Sequence, residues 1–381
     1  MSRGAVAARR SVAPERRSRS RAAIVATWIV LGVVPVVFVG FFLVASLAHE
    51  SLAYDFRHAY LPAAHAVLEG ESPYPALDDP ELAGETAYVY PPPLAYVLIP
   101  LTPLSENAAS VIAAILAIEL LVGTLLVLGI RDWRCYGAAL LWAPTVNAVH
   151  VASSSLLLGF AAALAWRYRA TVWPLAASIG LAIAVKLLLW PLLVWTLATR
   201  RLRASVWAAA IGCAVVLGSW SALGFEDLTR YPSLLRKLAE LEAESSYSLV
   251  AVSATLGLGD VAARAVGIAA GVILVAAVVF YARRGDDFRA FTCGLAAALA
   301  FTPILWQHYL VLLLVPLAAA RPRFSGIWLI PALLWLAPRE DNGEGIQTLL
   351  PALVAAVLVA LLLRSQPGTH PARTSPAGAR P

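Results

Sequence analysis

The sequence predicts an all-α polytopic membrane protein: a bundle of about twelve transmembrane or short re-entrant helices, with two extracytoplasmic loops that carry interfacial helices. Three observations predict it. Of the 381 residues, 60% are hydrophobic and 14% charged, with a mean hydropathy of +0.75, a composition too apolar for a soluble core. Long apolar runs recur along the whole chain, and in hydrocarbon a helix satisfies its own backbone over about 20 residues. Third, the net charge of +6 is gathered in short clusters at the ends of these runs, at Arg9 to Arg21, Arg131, Trp166, Arg200, Ala282, Arg321 and Arg364. That distribution obeys the positive-inside rule if every cluster is cytoplasmic, and it argues against a nucleic-acid face.

The elements follow in order. Residues 1–21 are polar, basic and expected to be disordered in the cytoplasm, and 22–364 form the membrane domain. The first span, Ala22 to Ala48, is longer than the roughly 7–15 apolar residues of a signal peptide, so an uncleaved anchor is expected. A first outer loop, 49–105, carries Glu69, Glu71, Asp78, Asp79, Glu81 and Glu85 and ends in "YVYPPPLAYVLIPLTPLS", whose prolines leave a piece too broken to span. Asn107 to Ile130 returns inward. Four short runs follow: Cys135 to Val149, Ser155 to Trp166, Val172 to Val185 and Leu187 to Thr199. Their turns would lie below the outer surface, which hydrocarbon tolerates only beside a protein-lined or water-filled cavity. Ala204 to Leu223 leads into a second outer loop, 224–260, where Tyr231, Leu234, Leu235, Leu238 and Leu241 recur at helical spacing on an amphipathic helix that includes Glu244. Val261 to Tyr281, Ala290 to Ile304, Trp306 to Ala320, Phe324 to Leu336 and Ile346 to Leu363 complete the bundle. The tail, 365–381, is rich in Pro, Gly and Arg and expected to be disordered.

Few residues carry chemistry. Cys135, Cys213 and Cys293 lack CxxC spacing, so neither a disulfide framework nor a zinc site is indicated. The chain has no Walker A loop, HExxH or GxSxG. Asp55 follows directly after the first span, where a carboxylate is placed to take a proton from a hydroxyl at the membrane surface. The competing reading makes it the N-cap of a helix from Phe56, although Pro62 would then fall several residues into that helix. Lys186 is an ammonium inside "SIGLAIAVKLLLWPLLVW". An intramembrane charge costs about 2.5–3.5 kcal/mol on insertion scales, so its default reading is functional, here pairing with a lipid phosphate; the competing reading is a snorkelling side chain. His308 lies at a turn between spans and is able to donate to a phosphate oxygen. His150 and Ser153 to Ser155 read as ordinary turn and cap residues. Tyr74, Tyr88, Tyr90, Trp190 and Trp306 fit either an interfacial aromatic belt or sugar stacking.

With these residues in hand, the order of motifs resembles glycosyltransferase family 87, polyprenol-phosphate-mannose-dependent mannosyltransferases of the GT-C fold. The carrying stretches are "DFRHAY" at Asp55, "SPY" ending at Tyr74, "YVYPPP" at Tyr88, "IPLTPL" at Ile99, Lys186 with "WP", and "QHY" at Gln307. The chain departs from the family pattern at "HVASSSLLLG" and at Gln307, where a second histidine is common. The resemblance implies transfer of mannose, with inversion, from a polyprenyl-phosphate donor to a glycolipid or glycan hydroxyl on the outer face of a bacterial plasma membrane, with both termini cytoplasmic. It implies Asp55 as general base, and Lys186, His308 and Arg57 at the lipid phosphate. His58, Tyr60, Tyr74, Tyr90 and Gln307 would contact substrate, with no metal, cofactor or nucleic acid required. The alternative class is a secondary transporter or flippase of a lipid-linked sugar, for which the chain shows no internal repeat.

Overall fold

The computed structural model describes residues 21–79, 82, 86–242, 246–337 and 345–365. Glu81, Glu85, Glu244, the basic segment before Arg21 and the tail beyond Ser365 lie outside these. The described residues are helical, with no strand among them.

The bundle begins with α1, Arg21–Ala48, a continuous 28-residue helix that carries a π-turn at Ile29–Val33. Pro35 follows two residues later. A second π-turn, Phe56–Tyr60, precedes α2, Leu61–Glu69, and again a proline, Pro62, stands two residues past its end. Proline has no N–H for the carbonyl four residues back and its ring crowds that carbonyl, and in both cases the carbonyl in question, Leu31 or His58, lies within the π-turn. Widening the turn is how each helix continues through its proline. Gly137 sits against the Leu31 carbonyl, so closely that a methyl group there would overlap it.

α3, Pro93–Leu98, with a 3-10 turn at Ile99–Leu101, is the short proline-broken piece expected of the first loop. α4, Glu106–Val127, is a full-length apolar helix capped by Ser105. The run expected over Cys135 to Val149 is instead two helices, α5 (Trp133–Leu140) and α6 (Ala143–His150), with Pro144 in the first turn of the second. Two indoles hold that break: Trp335 donates to the Leu141 carbonyl at 2.6 Å, and Trp142, within the break, donates to the distant Trp328 carbonyl at 2.8 Å.

α6 and α7 (Ser154–Arg167) meet at 117°. α8 (Val172–Val185), a 3-10 turn at Leu187–Leu189 and α9 (Pro191–Ala198) form a second broken pair. α10 (Leu202–Ala222) packs along α8 through Gly180, Ala208 and Gly212, small residues that let the backbones close. The second loop carries α11 (Tyr231–Leu241), the expected amphipathic helix, and α12 (Leu249–Thr255), which the sequence pattern did not separate. α13 (Asp260–Arg283) packs along α14 (Asp287–Phe301).

Two later segments depart from α geometry. Gln307–Leu313 is a 3-10 helix leading into α15 (Leu314–Ala320), and Gly326–Leu336 is 3-10 throughout, with Pro331 inside it. A 3-10 helix rises about 2.0 Å per residue against about 1.5 Å for α, so short runs reach further across the bundle. A 3-10 turn at Gly345–Thr348 and α16 (Leu349–Arg364) complete the chain.

Among the described residues four helices, α1, α4, α10 and α13, are long and apolar enough to cross a bilayer, and α6 with α7 makes a fifth if that bent pair counts as one. The segments expected from the sequence therefore divide into full crossings and shorter apolar helices between them. Two apolar cores result. The larger fills the bundle; the smaller gathers the first loop against Trp220, Leu223, Leu234 and Leu238 at one end.

Candidate active site

Where the two cores meet, a cavity of about 670 Å³ opens, a size suited to a small ligand. Asp55, Tyr60, Tyr90, Asn147, Lys186, Trp190, Tyr231, Glu242, Trp306, Gln307, His308 and Tyr309 are among its lining.

Asp55 reaches it through local backbone geometry. The helix there begins at Tyr54, and Asp55 has helical dihedrals with no side-chain capping bond, so the N-cap reading does not hold. Residues five apart lie about 140° apart around an α-helix but are drawn together by an i→i+5 turn, so the π-turn lets Asp55 and Tyr60 face one cavity. The start of this helix is docked on α6: Ala53 N donates to the His150 carbonyl at 2.6 Å and Phe56 N to the Val151 carbonyl at 3.4 Å. Ala53 and Ala152 both take left-handed dihedrals, φ 58° and 52°, which non-glycine residues rarely adopt. The loop thereby satisfies backbone groups that the α6–α7 break exposes.

Lys186 is the extended residue between α8 and the Leu187–Leu189 turn, φ −154° and ψ 125°, which turns its side chain off the helix and into the cavity. Its ammonium points into the cavity. It hydrogen-bonds the Tyr309 hydroxyl, lies 3.5 Å from that of Tyr90, and sits 3.8 Å and 4.7 Å from the two ring centroids. Asp55 is close enough for its charge to act on Lys186, Tyr60, Tyr90 and Tyr309. Burial, and then the Asp55 charge, pushes the Tyr90 phenol up to about 12, so at neutral pH it remains a hydroxyl donor. Tyr60 and Tyr90 hydroxyls are 2.9 Å apart.

His308 is 4% exposed, with Nδ1 2.9 Å from the Asn147 Oδ1. Its Nε2 is buried without a hydrogen-bond partner among the described residues. Gln307 lines the cavity, but its amide donates to the Leu334 carbonyl at 2.8 Å and so also ties the two 3-10 segments together.

The remaining expected residues lie elsewhere. Arg57 is buried on the other side of its helix, donating to the Glu50 carbonyl at 3.1 Å and to Asn107, and 3.3 Å from Glu106. It does not line the cavity, because two neighbours on α4 already hold its guanidinium. His58 is exposed and lies tilted against the Tyr54 ring at 4.5 Å, outside the lining. Tyr74 is buried beside the cavity, stacked on Trp220 at 5.1 Å and donating to the Tyr90 carbonyl at 2.8 Å, so it braces Tyr90 from behind. Asn147, Tyr309 and Glu242 are lining residues that sequence reasoning missed. A polar amide inside the apolar run "LLWAPTVNAVHV" was the available signal for the first.

The arrangement sets a carboxylate, an ammonium and a ring of phenols around one space, enough to accept a proton on one side and to stabilise an anion on another. Among the described residues no group of His, Cys, Asp or Glu could hold a metal ion. A sequence model described as glycosyltransferase family 87 matches residues 88–316, a stretch that holds Tyr90, Asn147, Lys186 and His308 and begins after Asp55. The chain is also similar to a polyprenol-phosphate-mannose-dependent alpha-(1-2)-phosphatidylinositol mannoside mannosyltransferase of Mycobacterium tuberculosis, 25% identical over 277 residues, covering 65% of this chain and 61% of that protein. The chain therefore spans less than two thirds of the length of this relative. No solved structure matches it. Since the family match takes in more than half of its length, this membrane protein belongs to glycosyltransferase family 87.

Proposed function

We propose that the protein transfers mannose from a polyprenyl-phosphate donor to a hydroxyl of a glycolipid acceptor, with inversion, at the cavity between the two cores. The observation that carries the proposal is the presence of Asp55 and Lys186 in one lining, with Asp55 in electrostatic range of the ammonium. Asp55 takes the acceptor proton as the acceptor oxygen attacks the anomeric carbon from the face opposite the phosphate. The bond from that carbon to the phosphate oxygen breaks, its electron pair stays on the oxygen, and polyprenyl phosphate departs with one more negative charge. Lys186, with His308 beside it, offsets that charge. The phosphate is a good leaving group, so a positioned base and a positioned cation cover both developing charges without a metal. Apolar residues on the cavity wall, Leu187 and Trp190 among them, are exposed on the bundle surface and offer the polyprenyl chain a lateral way in. The basic clusters at the opposite ends of the apolar runs support a cavity that opens on the outer membrane face. The mannose donor of the mycobacterial relative and its phosphatidylinositol mannoside acceptor support the choice of substrate classes.

The test is transfer by purified protein supplied with a polyprenyl-phosphate mannose and candidate glycolipids. Asp55→Asn keeps the shape and removes the base, and is expected to lower kcat by about 10²–10⁴. Full activity in that variant would remove Asp55 from the mechanism.

A further inference from the structure

We infer that Asn147 is a positioning residue that orients His308 toward the substrate phosphate, an inference that rests on the transfer reaction above. The His308 ring has two polar atoms, and the fold spends one of them. Nδ1 lies 2.9 Å from the Asn147 Oδ1, so Nδ1–H donates to the amide oxygen. Nε2 is buried, unpartnered among the described residues, and belongs to a ring that lines the cavity. Asn147 lines the same cavity from α6, whereas His308 comes from the 3-10 helix Gln307–Leu313 packed against it. A buried polar atom with no partner costs free energy unless something outside the chain satisfies it, and a phosphate oxygen does so once its charge draws a proton onto Nε2, which in the neutral ring is an acceptor. With the ring protonated, Nδ1–H goes to Asn147 and Nε2–H to the phosphate. The amide acts as the outer partner of a functional histidine does elsewhere, fixing which nitrogen is presented and at what angle.

The backbone favours this role. α6 is only eight residues long, yet its end also receives the amide hydrogens on either side of Asp55, that of Ala53 at His150 and that of Phe56 at the C-cap residue Val151. One short helix therefore holds both the base and the histidine in register.

Two nearly isosteric replacements separate positioning from packing. Asn147→Asp preserves an oxygen for Nδ1–H and is expected to retain activity within about threefold. Asn147→Leu preserves volume but frees the ring, and is expected to lose about 10–100-fold in transfer, mostly in kcat, because the phosphate gains charge as it leaves. A residue that only fills space gives the reverse order, with Leu tolerated and the buried carboxylate harmful. The double variant Asn147→Leu with His308→Gln is expected to be no slower than His308→Gln alone. Multiplying losses, or a Leu variant as active as the wild type, would overturn the inference. Should Asn147→Leu fail to fold, judged by size-exclusion profile and thermal midpoint, activity of Asn147→Asp below a tenth of wild type would overturn it as well. If His308→Gln alone transfers mannose at the wild-type rate, the phosphate role of His308 fails at its root, a result distinct from failure of the Asn147 contact.

Discussion

Replacing Lys186 by methionine tests the cavity most directly. The side chain keeps nearly its length and volume and loses only the ammonium, so the effect on turnover is separable from packing. That ammonium contacts the hydroxyls of Tyr309 and Tyr90 and the faces of both rings, with the Asp55 charge in electrostatic range. A hydrogen bond to a charged group contributes about 1.5–3 kcal/mol, which corresponds to a factor of about 10–150 in rate. Removing one preorganised donor from a developing anion costs about 10²–10³ in kcat. The two ranges overlap near a hundredfold, which is the expected loss. In the proposed reaction the departing phosphate monoester carries one more negative charge than the bound diester, so the loss falls on kcat more than on KM. The cation–π contacts are each worth about 0.5–2 kcal/mol, so the thermal midpoint in detergent should fall by only a few degrees. The assay is single-turnover transfer from labelled polyprenyl-phosphate mannose by protein in lipid nanodiscs. A folded Lys186→Met protein with kcat/KM within threefold of wild type would refute the assignment of this ammonium to the phosphate.

Two further expectations concern the scaffold. A methyl group at Gly180 would lie 2.6 Å from the Ala208 carbonyl oxygen and 3.0 Å from the Ile211 side chain, so Gly180→Ala should separate α8 from α10 and cost about 1–3 kcal/mol, read as a lowered thermal midpoint. Asp132 is held down to about 2, chiefly by hydrogen bonds from the Arg134 guanidinium at 2.8 and 2.6 Å, helped by the Phe324 amide at 3.0 Å. Its folded value is below the ordinary 3.8, so this contribution to stability is complete above about pH 4 and is lost as the pH falls toward 2. Asp132→Asn should lower the midpoint at pH 7 and flatten its decline between pH 4 and 2.

What the sequence revealed, and what it hid, follows the range of the interactions concerned. α8 occupies Val172–Val185 as expected, because an apolar run and the lysine that ends it are both local signals. Lys186 was legible for the same reason, since a charge in an apolar run needs an explanation wherever it lies. Arg57 was not, because the groups that hold it, Asn107 and Glu106, stand about fifty residues away and become neighbours only on folding. Asn147 is a neutral amide and carries no charge signal; its meaning comes from His308, 161 positions along the chain. The break between α5 and α6 was missed because Trp335 and Trp142 make it tolerable, and both bonds reach a segment almost two hundred residues distant.

The π-turn at Phe56–Tyr60 has a consequence for chain length. Such a turn accommodates one residue more than an α-helix would need for the same rise, so the helix carrying Asp55 contains a built-in surplus residue, anchored by Pro62. Removing a single residue there would let plain α-helix run through and rotate everything before it by about 100°. Asp55 would then turn out of the cavity, although its distance along the axis would hardly change. Reading frame within the helix, as much as residue identity, sets whether this carboxylate can reach a substrate, and sequences aligned across Asp55 keep its chemistry only if they keep that count.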